Sequence, residues 1–195
     1  MGTELKQLVE MSRFYGCDAE FVLAGGGNTS YKTKETLFVK ASGTTLATID
    51  ESGFAAISRE RLAALWSRSY SKDEKAREAE VLADLMAARM PGEEAKRPSV
   101  ETLLHNLFST AYVAHTHPAL VNGLACGKDG KALCEKLLGG VAVWIDIVNP
   151  GYVMALAAKK AIEDFTAKYG KAPAVAILEN HGLVDVSRDM SRFDA

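Results

Sequence analysis

The chain has 195 residues, 48% hydrophobic and 25% charged, a composition that predicts an ordinary soluble globular protein and excludes a disordered or collagen-like one. Its 23 basic and 25 acidic residues leave a net charge of −2, a poor match for wrapping nucleic acid or lying on an anionic membrane. No apolar run approaches the ~18 residues that span a bilayer. The start, Met1-Gly2-Thr3-Glu4, lacks the basic head and apolar stretch of a signal peptide. Cys17, Cys126 and Cys134 are odd in number and form no Cys-x-x-Cys pair, so a reducing cytoplasm fits better than a disulfide framework.

No repeat or low-complexity segment interrupts the chain, and one domain over 1–195 is expected. Leu5, Leu8, Val9 and Ser12 share one face of a helix predicted over 3–15, with Thr3 as its cap. A Gly-rich turn follows over 24–30, then short strands over 30–32 and 37–41, then a tight turn at Ser42-Gly43-Thr44-Thr45. Helices are predicted over 58–68 and 73–90, the second with a charged, solvated first half that Pro91-Gly92 ends. Ser99 stands where an N-cap belongs, ahead of a helix from Val100 through His105. The stretch 112–117 alternates like a strand, and Pro118 opens a helix to Leu124. An apolar, β-branched strand is predicted over 141–148, a long helix over 151–169 ending at Gly170, and a strand over 174–178. Strands interleave with helices, which predicts an α/β fold in layers.

The four histidines fall at 105, 115, 117 and 181. Residues two apart on a strand project to one face, so His115 and His117 can reach a single ion while Thr116 turns away. Imidazole is the usual ligand for zinc and similar ions, although His-x-His alone is not specific. A catalytic zinc commonly takes three protein ligands, and His105 and His181 both stand as candidates for the third. His105 lies a helical turn after Glu101 and reads more simply as a buried helix histidine, whereas His181 sits at a strand end. Glu101, in a first helical turn, is the acid/base candidate, with complementing the helix dipole as its plainer role. The two glycine turns could cradle an anion through backbone N–H groups, as could Ser99 at a helix start. Neither turn is a P-loop or a dinucleotide fingerprint.

Gly26-Gly27-Asn28-Thr29-Ser30, Ala41-Ser42-Gly43-Thr44, Ser99-Val100-Glu101, His115-Thr116-His117-Pro118 and Asn180-His181-Gly182 occur in an order that resembles the class II aldolase/adducin family. That family includes fuculose- and rhamnulose-phosphate aldolases. The stretches from Val22 to Ser30 and from Val39 to Thr44 are most similar to the aldolase half of bifunctional aldolase/dehydrogenase chains. The resemblance implies a three-layer α/β/α fold with a central mixed, mostly antiparallel sheet. It implies His115, His117 and His181 as ligands of a divalent metal, zinc first. It implies Glu101 as the acid/base, leaving open whether Glu101 also ligates metal before substrate arrives. Gly27, Asn28, Ser42, Gly43 and Ser99 would lie at the substrate phosphate. Val100 departs from the pattern, since the sugar-phosphate aldolases carry a second serine there. Family members also continue past the Asn-His-Gly strand with helices that complete a neighbouring subunit's site, so a short homologue or a part of a longer protein is expected.

The activity so implied is cleavage of a phosphorylated ketose to dihydroxyacetone phosphate and an aldehyde, in a cytoplasmic homotetramer with no nucleic-acid or membrane partner. A dehydratase or epimerase working at the same metal, and a non-catalytic adducin-like interaction module, are the alternatives.

Overall fold

The computed structural model describes residues 2–187. Its strands are β1 (Asn28–Lys32), β2 (Thr36–Lys40), β3 (Phe54–Ser58), β4 (Tyr112–Thr116), β5 (Ala142–Ile145), β6 (Val175–Leu178) and β7 (Gly182–Ser187). Its helices are α1 (Gly2–Gly16), α2 (Arg59–Leu65), α3 (Glu74–Ala87), α4 (Thr102–Leu107), α5 (Ala119–Ala125), α6 (Gly130–Leu138) and α7 (Tyr152–Tyr169). The strands form one seven-stranded sheet in the order β3-β2-β1-β4-β7-β6-β5. Only β5 and β6 pair in parallel, so the sheet is mixed and mostly antiparallel.

Alternation along the strands sends side chains to two cores. On one face Leu37, Val39 and Ile57 pack with Leu62, Leu85 and Leu103, and Val113, Val184 and Val143 pack with Leu104, Met154 and Phe165. These bring α2, α3, α4 and α7 onto that face. On the other, Tyr112, Ala114 and Phe54 meet Leu8 and Met11 of α1, and Ile177 and Ala142 meet Ala125 of α5 and Cys134 of α6. The result is three layers, α/β/α. No helix among the described residues is long and apolar enough to cross a membrane.

Several elements differ from their predicted spans. β3, α6 and β7 have no counterpart among the predicted elements. β3 is the short run Phe-Ala-Ala-Ile-Ser, and Ala56 in its middle gives little alternation to read. The strand expected over 141–148 ends at Ile145, because Asp146 turns out to Lys131 and Ile147 and Val148 are exposed. The helix expected after Ser99 becomes regular only at Thr102, with Glu101 in the N-cap position. Ser99 instead closes a turn before it, accepting Glu101 N–H on Oγ at 3.2 Å and Thr102 N–H on its carbonyl at 3.1 Å.

β6 and β7 are joined by a tight turn in which Asn180 adopts φ 56°. The turn brings Gly182 against β4, where a Cβ would sit 2.5 Å from the Thr116 carbonyl oxygen and 2.7 Å from His117 Cδ2. Only glycine permits this approach. Gly182→Ala is therefore expected to cost about 1–3 kcal/mol, read as a lower urea midpoint with an unchanged slope.

Candidate metal centre

His115 lies near the end of β4 and is fully buried. Its Nδ1 is 2.9 Å from the Leu183 carbonyl oxygen, which can only accept, so Nδ1 carries the proton and Nε2 keeps its lone pair. His117 follows the strand by one residue, tied through its backbone N–H to the Phe21 carbonyl at 2.9 Å. Its Nε2 approaches His115 Nε2 to 3.1 Å. His181 enters from the β6–β7 turn, with ring centroids 4.9 Å from His115 and 5.1 Å from His117. One ligand nitrogen from each of the three imidazoles lies within 4.8 Å of the others. Lone pairs gathered this closely repel unless a proton or a cation stands among them. Three nitrogens converging on one point suit a tetrahedral or five-coordinate divalent ion with an open position.

Glu101 stands beside this cluster, with Oε1 3.5 Å from both His115 Nε2 and His181 Nε2. Its other oxygen, Oε2, accepts a short hydrogen bond from Asn28 Nδ2. Burial raises the Glu101 carboxyl above its ordinary range, opposed by His181, His117, the Asn28 hydrogen bond and Lys40. Burial also lowers the imidazoles, His115 and His181 each to about 4, with His117 moved the same way. The imidazoles are therefore neutral near pH 7, so their 3.5 Å contacts with Glu101 are not ion pairs. Neutral imidazole is the form that ligates metal.

His105 does not join this group. It is fully buried on α4, where Nδ1 meets Ser30 Oγ at 2.8 Å, and Nε2 has no hydrogen-bond partner among the described residues. The plainer of its two sequence readings, a partner-bonded helix histidine, describes it.

The expected anion-binding residues come together at the same sheet end. Ala41 bridges to Pro98, and Ser42 donates its N–H to the Arg97 carbonyl at 2.8 Å and its Oγ to the Pro98 carbonyl at 3.4 Å. Ser42 and Gly43 thus lie beside Ser99. Asn28 reaches the same place through Glu101, and Gly27, at φ 73°, packs 3.0 Å (by a built Cβ) from the His115 carbonyl. Gly43 has φ 90° with open space on its missing side-chain position. Two contributors were not among the sequence candidates. Gly26, where a Cβ would come 3.1 Å from His117 Nδ1, and Gly182 make room for the imidazoles. The tripeptide Asn180-His181-Gly182 held the signal for the second, as a left-handed residue and a glycine flanking a histidine.

The family model described as "Class II Aldolase and Adducin N-terminal domain" matches residues 6–192. The chain belongs to this family. A solved relative, the N-terminal class II aldolase domain of a conserved protein from Thermoplasma acidophilum, is 28% identical with a TM-score of 0.77, covering 96% of this chain and 85% of that one. L-fuculose-1-phosphate aldolase from Thermus thermophilus shares the fold at a TM-score of 0.59 and 15% identity, covering 98% of this chain and 83% of that one. Among curated proteins, the uncharacterized oxidoreductase YuxG of Bacillus subtilis (strain 168) is 32% identical over 189 residues, covering 92% of this chain. The aligned region is 26% of that relative's length, so this chain spans about a quarter of it.

Burial holds all four histidines below their ordinary range, so each binds its proton more weakly folded than unfolded. Unfolding therefore takes up protons below about pH 6.5, and stability falls as pH drops toward about 4. Glu101, shifted upward, acts in the opposite sense, but as one carboxyl against the imidazoles. The urea midpoint of metal-free protein should decline steadily as pH falls below about 6.5. A midpoint that rises on acidification would contradict neutral imidazoles.

Proposed function

We propose that this protein is a metal-dependent aldolase that cleaves a phosphorylated ketose, of the fuculose- or rhamnulose-1-phosphate kind, to dihydroxyacetone phosphate and an aldehyde. The observation that carries this reading is one buried carboxyl, Glu101, set 3.5 Å from two members of a three-imidazole cluster. His115, His117 and His181 are the ligands of the ion, and zinc suits a neutral three-imidazole set best. A divalent ion there supplies Lewis-acid stabilisation of the negative charge that carbon–carbon cleavage leaves beside the substrate carbonyl. Glu101 moves the proton on or off that carbon. Its carboxyl is raised by burial, which brings its proton affinity nearer to working pH. Asn28 orients the carboxyl through Oε2 and keeps its second N–H and its carbonyl for substrate. Gly27, Asn28, Ser42, Gly43 and Ser99 hold the phosphate and thereby fix the sugar's register at the cluster.

In this reading the chain is one class II aldolase-like domain acting in the cytoplasm as a homotetramer. Three imidazoles and a carboxyl in one buried place support an enzyme rather than an adducin-like binding module.

Purified protein should hold about one divalent ion per chain, and His181→Ala should lower that stoichiometry sharply while His105→Ala leaves it. The reverse outcome would remove His181 from the ligand set. Glu101→Gln keeps size and hydrogen-bonding reach but cannot accept the proton, so cleavage of rhamnulose-1-phosphate should fall about 10²-fold or more with metal retained. Normal turnover with normal metal would take Glu101 out of the mechanism.

A further inference from the structure

β1 sends alternate side chains to its two faces. Thr29 turns to α1, where its hydroxyl lies 2.6 Å from Ser12 Oγ. Asn28 and Ser30 therefore share the opposite face, the one against which α4 lies. Asn28 Nδ2 donates to Glu101 Oε2, and Ser30 Oγ shares a hydrogen bond of 2.8 Å with His105 Nδ1. Glu101 and His105 are themselves one helical turn apart, with the His105 N–H on the Glu101 carbonyl at 3.1 Å. Two residues of strand rise about 6.6 Å and four residues of helix about 6 Å. Helix and strand are thus joined by two rungs at matching spacing, and all four side chains are buried.

The helix needs such rungs. It has six residues, Thr102–Leu107, and a helix this short is not stable on its own. Its Leu103 and Leu104 pack into different cores, but apolar burial has no direction and resists a small turn or slide of the helix only weakly. Glu101 makes no capping bond from its side chain, so the carboxyl has no local anchor on α4. Of the two rungs, the one through Asn28 ends on the carboxyl that takes part in proton transfer. The one through His105 involves no reacting atom and stays in place through turnover. His105 also keeps a buried Nε2 with no hydrogen-bond partner among the described residues, which lowers stability. For packing alone an apolar side chain would serve this position better.

We propose that His105 is a positioning residue: its bond to Ser30 fixes α4 against β1 and so holds the Glu101 carboxyl in place beside the three imidazoles. This rests on the reading of Glu101 as the proton carrier given above. His105 neither ligates the ion nor touches substrate.

The test uses purified, metal-loaded protein. His105→Leu removes the rung and the unpartnered nitrogen together, and His105→Asn restores a hydrogen-bonding group where Nδ1 stood. With rhamnulose-1-phosphate, kcat of His105→Leu should fall about tenfold or more while KM changes less than about threefold, because a catalytic group misplaced by about 1 Å loses most of its effect. Metal per chain should not change, and the urea midpoint should hold or rise. His105→Asn should recover most of the lost kcat. Ser30→Ala should lower kcat by a similar factor, and the double variant no further, since both changes remove one bond. Hydrogen exchange gives a readout independent of activity. Protection of the amide at position 105, which bonds the Glu101 carbonyl, should fall about tenfold in His105→Leu and return in His105→Asn. Four results would each overturn the proposal: normal kcat in His105→Leu where Glu101→Gln is inactive, His105→Asn no better than His105→Leu, multiplying effects of Ser30→Ala and His105→Leu, or loss of metal. Should His105→Leu fold poorly, the comparison of Ser30→Ala with His105→Asn decides. If Glu101→Gln keeps normal turnover while position 105 loses protection, the proton-carrier reading falls and His105 remains the residue that sets α4.

Discussion

The register of β4 between β1 and β7 is the constraint on which the site rests. Asn28 pairs with His115, and His115 pairs with Val184, so one row of the sheet aligns the hydrogen-bond donor to Glu101, the buried imidazole and the strand that follows His181. Side-chain period along a strand is two, so a slip of one residue would turn His115 to the α1 face and take Asn28 away from Glu101. The row is held from both sides. Val113 and Val184 pack with Leu104 on one face, while Tyr112 and Ala114 pack with Leu8 and Met11 on the other. Stability of the core and placement of the chemistry are thus the same requirement.

Burial at this row sets the protonation states. Withdrawing His115 from water makes its charged form unfavourable, and withdrawing Glu101 makes its ionised form unfavourable. The two shifts run in opposite directions and have one cause. They leave neutral nitrogen donors beside a carboxyl that keeps its proton more firmly than usual, which is the combination that a metal-assisted proton transfer needs. Local backbone conformations serve the same end. Asn180 takes a left-handed conformation and Gly182 has no side chain, and together they let His181 enter the cluster from a turn rather than from a strand.

Sequence separation explains why local chemistry names the proposed anion-binding groups one by one, while only family likeness joined them. Ser42 meets Pro98 across 56 positions, and Asn28 meets Glu101 across 73. Each lies on a turn or cap whose local chemistry is visible in glycine, serine and asparagine. What brings them together is the Ala41–Pro98 bridge and the sheet order, and neither has a local signature.

The sequence by itself determined the elements with strong periodicity or clear stop signals, such as α1, α7 with its Gly170 cap, and β6. It also determined the residue types at the site, because two histidines on alternate positions of a strand and a glycine after a histidine are local facts. Family likeness in five short motifs gave the layered fold. Family likeness favoured His181 over His105 as the third imidazole, and only the tertiary structure shows the physical reason. His105 lies on a helix and His181 in the turn between two strands, and local pattern alone does not say which of them meets the His115–His117 pair. The choice follows from long-range packing, which turns His105 inward to Ser30 on the neighbouring strand and folds the β6–β7 turn so that His181 meets His115 and His117.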